Sequence, residues 1–150
     1  MHYLIPIIVA LLISPLATAE NLTAVNAIKY RKSVMVAIKG HNLAIKSIVR
    51  GHVPFKEQLP KHIAALEDLL NEMDHLFPAG SDVGETDAKS AIWNQPKRFL
   101  KASKKATNAL AIFKNIAANG SIEDTAIAYK KFSKTGCGGC HKPFRKKSSK

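Results

Sequence analysis

Four segments of this chain repeat apolar residues at three- and four-residue spacing, and none sustains the two-residue alternation of a half-buried strand. That pattern excludes sheet-based folds and leaves an arrangement of helices. The first segment runs from Asn21 to about Arg50, with Val25, Ile28, Met35, Ile38, Ile45 and Val49 at the apolar positions. Gly51 and Pro54 stop it, because proline has no N–H to donate and disfavours a helical residue before it. The second runs from about Lys56 to Leu76, with Ile63, Leu66, Leu69, Leu70 and Met73 on one side. Its Pro60 falls near the start, where a helix tolerates it. Residues 77–89 hold Pro78, Gly80, Ser81, Asp82 and Gly84 and predict one long loop. A third helix is predicted from near Ser90 to about Ala118, ended by Asn119-Gly120 in a left-handed turn. Ser121, with Asp124 three residues on, predicts the cap of a fourth helix that carries Ile122, Ala126, Tyr129 and Phe132. Short connections between such helices predict an all-α, antiparallel up-down-up-down four-helix bundle.

The 150 residues allow one domain, and 46% hydrophobic content excludes a wholly disordered chain. Leu4 to Leu16 is an almost continuous apolar run followed by Ala17-Thr18-Ala19, the small-x-small pattern of a secretory cleavage site. Residues 1–19 are therefore expected to be a removed signal peptide, and residues 20–150 the bundle. The apolar run is short for a bilayer span and contains Pro6 and Pro15, so no membrane-spanning helix is expected. Export to the periplasm is. Lys and Arg number 23 against 11 Asp and Glu, a net charge of +12 that implies an acidic partner. Six basic residues and no acid lie between Lys97 and Lys114, and eight more without an acid between Lys130 and Lys150. No aromatic-interleaved basic motif is present, so nucleic acid is not the expected partner.

The chemistry is carried by Cys137-Gly138-Gly139-Cys140-His141. This spacing is the haem c attachment pattern. Two intervening residues let both sulfurs reach the vinyl groups along one porphyrin edge, and the next histidine brings its imidazole under the iron. One short segment thus supplies both tethers of a single covalent haem c and its proximal ligand. A zinc site would need a second Cys/His pair at ligand spacing, which is lacking. A thiol–disulfide exchange pair would follow a strand in a βαβ context, and these helices provide none.

Taken with Ala27-Ile28-Lys29-Tyr30-Arg31, the Gly51-x-x-Pro54-Phe55 turn, Ala91-Ile92-Trp93 and Phe144-Arg145, the motif resembles the class II c-type cytochromes, the cytochrome c′ family. The resemblance covers nearly all of residues 21–150 and is most like the low-spin branch. There, a methionine of the first helix binds the iron opposite the histidine; in the gas-binding branch an apolar residue stands in that place. Met35 occupies the matching position, whereas Met73 lacks that match. In an antiparallel bundle the first helix starts beside the end of the fourth, so Met35 and His141 can face each other, although a plain core methionine is the alternative. The resemblance further implies that Arg31 stands near a haem propionate and that Arg145 stands over the proximal side. Trp93 and Phe99 are candidates for packing against the porphyrin or for ordinary core packing. His41, His52, His62 and His75 are alternative ligands placed at surfaces or helix ends. Pro143 and the crowded Gly136, Gly138 and Gly139 depart from the family pattern and predict a last helix that is kinked or held mainly by the haem.

The expected function is a periplasmic electron carrier with iron ligated by His141 and Met35, not an enzyme, docking an acidic redox partner as a monomer or homodimer. If Met35 only packs, the alternative is a five-coordinate haem protein that binds nitric oxide or carbon monoxide. Thiol redox activity, a third reading, requires free cysteines.

Overall fold

A computed structural model describes residues 16–147. The first fifteen residues of the expected signal peptide lie outside the described residues. Helix α1 (Leu16–Val49) ends where Gly51 takes a φ of 69° and His52 N–H donates to Ser47 O, so the helix closes on its own orphan carbonyls. Helix α2 (Leu59–Asn71) has Pro60 in its first turn and short 3₁₀ turns on either side, Lys56–Gln58 and Met73–Leu76.

The third predicted helix is two. Gln95, at φ −133° and ψ 56°, separates α3 (Ala91–Asn94) from α4 (Pro96–Asn119). Pro96 is the cause, since its ring pushes the preceding residue out of the helical region. The stop after α4 also differs from expectation. Gly120 is extended, at φ −98° and ψ 174°, rather than left-handed. Glycine is needed there for room: a Cβ would lie 2.8 Å from Ile116 O. Ser121 then caps α5 (Ile122–Phe132), accepting from Asp124 N–H at 3.0 Å while its hydroxyl donates to the Asp124 carboxylate.

The fourth helix continues through a π-helical turn, Ser133–Gly138, into α6 (Gly139–Phe144), which carries Pro143. The end of α6 is held by backbone pairing instead of resting on a cofactor alone. Lys89 N–H donates to Phe144 O, Lys146 N–H to Asp87 O, and Lys146 Nζ to Thr86 O. Helix α1 packs on α2 and α5, and α4 packs on α2 and α5, which closes the antiparallel four-helix bundle that the periodicity predicts. Its core is split. One cluster gathers Ile45, Leu66, Leu110, Phe113 and Phe132, the other Val34, Met73, Leu76, Ile92, Phe99 and Phe144.

Candidate functional site

Between the two clusters lies a cavity of about 620 Å³, within the range of a small-molecule or cofactor site. Its walls are mostly apolar and come from every long helix. Cys137, Cys140 and His141 enter from the fourth helix, Met35 and Ile38 from α1, Phe99 and Ala106 from α4. Along one wall runs a ladder of edge-on rings: Trp93 on Phe77 at 6.0 Å, Phe77 on Phe99 at 4.9 Å, Phe99 on Phe144 at 5.4 Å.

The π-helical turn is what aims the cysteine motif. An ordinary α-helix would rotate each following residue by about a fixed 100° per residue, since 3.6 residues make a turn. The wider turn, which includes Cys137, delays that rotation ahead of Cys140 and His141, a placement typical of π-bulges at functional sites. Gly136 makes the close packing there feasible. A Cβ on it would stand 3.1 Å from the Phe132 ring and 3.5 Å from Ala106 Cα. Phe132 is buried and stacked on Phe113, so it has no room to yield. Gly136→Ala should therefore destabilise the protein by about 1–2 kcal/mol by thermal melting, the overpacking cost exceeding the gain in helix propensity.

Both thiols are half-buried. Burial, and then neighbouring Cys137, push the Cys140 thiol up to about 11, and burial raises Cys137 as well. Such thiols are protonated at neutral pH and poor in thiol–disulfide exchange, the opposite of a redox-active pair. Nor do they find partners for zinc: no group of three or more His, Cys, Asp or Glu side chains gathers among the described residues. Desolvation and the nearby Arg145 lower the His141 pKa, favouring a neutral imidazole with a lone pair to donate.

Arg31 is the one guanidinium in the wall that is buried, at 4% exposure. Its Nη1 donates to Leu76 O at 3.1 Å and Ser81 Oγ at 2.9 Å, its Nη2 to Ser81 O at 2.9 Å and Thr86 Oγ1 at 2.8 Å. It also lies 4.8 Å above the Phe77 ring. All four acceptors are neutral, and among the described residues Arg31 makes no ion pair. Two thiols, an imidazole and an uncompensated cation around an apolar cavity fit an anionic, planar, covalently held haem.

Of the residues singled out in the sequence, Cys137, Cys140, His141, Met35, Arg31, Phe99 and Arg145 all line this cavity. Trp93 does not; its indole N–H donates to Phe77 O and Pro78 O, holding the loop that Arg31 also holds. None of His41, His52, His62 or His75 reaches the cavity. Met73, which the sequence reading weighed and set aside as a ligand, lines the wall from the end of the second helical segment, and the Ser81 and Thr86 partners of Arg31 were missed. No helix among the described residues is long and apolar enough to cross a membrane.

Residues 26–145 match the family model for cytochrome c′. The cytochrome c′ of Pararhodospirillum photometricum is 30% identical over 121 residues, spanning 79% of this chain and 94% of that protein. That of Rhodospirillum rubrum is 31% identical over 120 residues, spanning 79% and 80%. Among solved structures, a nitric oxide complex of a cytochrome c prime mutant from Alcaligenes xylosoxidans has the same fold. Its TM-score is 0.74 at 23% identity, with 83% of this chain and 97% of that chain covered.

These findings overturn the expectation of a low-spin electron carrier ligated by His141 and Met35. The curated relatives just described are cytochromes c′, and the nitric oxide complex shows a protein of this fold taking a gas. The physical reason for the misplaced expectation is that helix position alone cannot tell a ligand from a packed side chain. Met35 is half-buried and packs against the cluster of Met73, Ile92 and Phe99.

Proposed function

The chain belongs to the cytochrome c′ family, which binds one covalent haem c, and from that premise we propose that it is a five-coordinate haem protein for nitric oxide or carbon monoxide. The observation that carries this reading is the packing of Met35 into the apolar wall contributed by α1. Bound haem supplies an iron that exchanges one electron and accepts a diatomic gas as ligand. Cys137 and Cys140 would hold the group by thioethers, which would keep it from being lost outside the cytoplasm. His141 would give the iron a nitrogen ligand, and burial, followed by the charge of Arg145, favours its neutral imidazole. The buried charge of Arg31, which its neutral partners leave unbalanced, would favour the anionic haem in this cavity. Met35 and its apolar neighbours exclude water and polar ligands, which leaves small uncharged gases. Nothing is turned over, so the protein is a binder rather than an enzyme.

The same proposal takes residues 1–19 as a removed leader, residues 20–150 as the mature bundle and the periplasm as its place. The acid-free stretches from Lys97 to Lys114 and from Lys130 onward support an acidic protein as the electron donor that keeps the iron reduced.

The optical spectrum of the purified holoprotein tests the reading. It should be high-spin in both oxidation states. Met35→Ala should leave it high-spin and raise the carbon monoxide association rate roughly tenfold, the effect of removing about 1.4 kcal/mol of steric barrier. A low-spin ferric spectrum that turns high-spin in Met35→Ala would mean that the thioether is a ligand and would end the proposal.

A further inference from the structure

Where α1 and α2 pack, His41 and His62 face each other. Their Nδ1 atoms are 3.0 Å apart, with ring centroids at 5.3 Å and planes inclined by 54°. Both rings are half-buried, and neither lines the haem cavity. Two Nδ1 atoms at this distance share a single hydrogen, so at least one of them offers a lone pair. Burial, and then the charge of neighbouring His41, lower the His62 pKa.

We propose that His41 and His62 form a divalent transition-metal site that takes Cu(II) in preference to Zn(II) and clasps α1 to α2. The spacing is compatible with this metal. Two imidazole nitrogens 3.0 Å apart, each about 2.0–2.1 Å from a metal, subtend about 91–97° at it. That is the cis angle of the tetragonal geometry Cu(II) and Ni(II) adopt; the rings turn on binding, so the preference over zinc rests on the affinity order of imidazole sites. Imidazole also ranks Cu(II) above Ni(II) and Zn(II) in affinity.

The backbones are already in place. His41 lies in the body of α1 four residues before fully buried Ile45, and His62 in the second half-turn of α2 beside buried Ile63. Only side-chain torsions need to change for both lone pairs to converge. On binding, the shared hydrogen leaves Nδ1 and the same ring takes a proton at Nε2, so both ligands stay neutral and the complex carries the charge of the ion. No third histidine, cysteine or carboxylate joins the pair among the described residues, so water fills the other positions and the ion exchanges.

The test is a copper titration of the haem-loaded protein, followed by calorimetry and electron paramagnetic resonance. One Cu(II) per chain with a two-nitrogen hyperfine pattern is expected, and Zn(II) should bind at least tenfold more weakly. His41→Gln and His62→Gln keep a hydrogen-bonding side chain at the helix contact and should each weaken copper at least tenfold and abolish the two-nitrogen pattern. The double variant His52→Ala/His75→Ala, altered only at exposed histidines, should bind like the parent. Copper should raise the melting temperature of the parent and not that of either glutamine variant. Unchanged copper affinity in both glutamine variants, or a two-nitrogen pattern that persists in them, overturns the site.

Discussion

With Cys137 and Cys140 both replaced by alanine, the chain is expected to lose its haem on extraction with acidified solvent and to stop accumulating as a folded bundle. The magnitude follows from the space the group fills. A cavity of about 620 Å³ left empty would cost roughly 15 kcal/mol at about 24 cal/mol per Å³. That figure is an upper bound, since walls collapse and the site is partly open, yet it equals the whole stability of an ordinary domain, about 5–15 kcal/mol. Both halves of the core line this space, so its collapse would disturb the packing of Phe99 on Phe77 and Phe144. Either single substitution leaves one thioether and should retain haem through His141 and burial, with a lower melting temperature. Near-UV circular dichroism and haem staining of denatured protein report the two effects separately. A double variant that shows sharp near-UV bands without haem would contradict the argument.

What was readable in the sequence and what was not divides along the range of the interactions. The cysteine motif was legible because its chemistry is local: five consecutive residues hold both tethers and the proximal ligand. The bundle was legible because helix periodicity and the stops at Gly51 and Ser121 are local as well. The break at Gln95 was there to be read in Pro96 and was hidden by the strong apolar spacing around it. The π-helical turn was not readable, because it depends on how closely the chain at Gly136 approaches Phe132 and Ala106, the latter from another helix, where a Cβ would crowd the Phe132 ring and touch Ala106. The His41–His62 pair depends on the register of α1 against α2, which periodicity leaves free. Met35 shows the limit most clearly. Its position places it on the cavity side of α1, while its role depends on where its sulfur rests among Met73, Ile92 and Phe99.

Arg31→Met should cost about 3–5 kcal/mol of holoprotein stability and loosen the loop between Leu76 and Ala88 before the helices. Among the described residues, the guanidinium ties α1 to four acceptors spread over Leu76, Ser81 and Thr86. Hydrogen bonds from a charged donor contribute about 1.5–3 kcal/mol each. They do not add, because they share one donor group and the acceptors keep other partners: Ser81 Oγ donates to Pro78 O and Thr86 Oγ1 accepts from Ala88 N–H. Methionine preserves packing on Phe77, so the loss reports the polar network rather than a void. Thr86 passes the effect onward, since its carbonyl holds Lys146 beyond α6 and its hydroxyl orders the turn before Lys89. The end of the haem-bearing helix should therefore loosen with the loop. Arg31→Lys keeps the charge but not the planar fork, and should cost about 1–3 kcal/mol. Amide exchange separates this from a general weakening. Ala88 and Lys146 should exchange faster in Arg31→Met while Phe113, in the other core cluster, is slowed or sped only by the change in global stability. Equal acceleration at all three sites would show that Arg31 supports the bundle as a whole and not this loop, because a local network can release only the groups it holds.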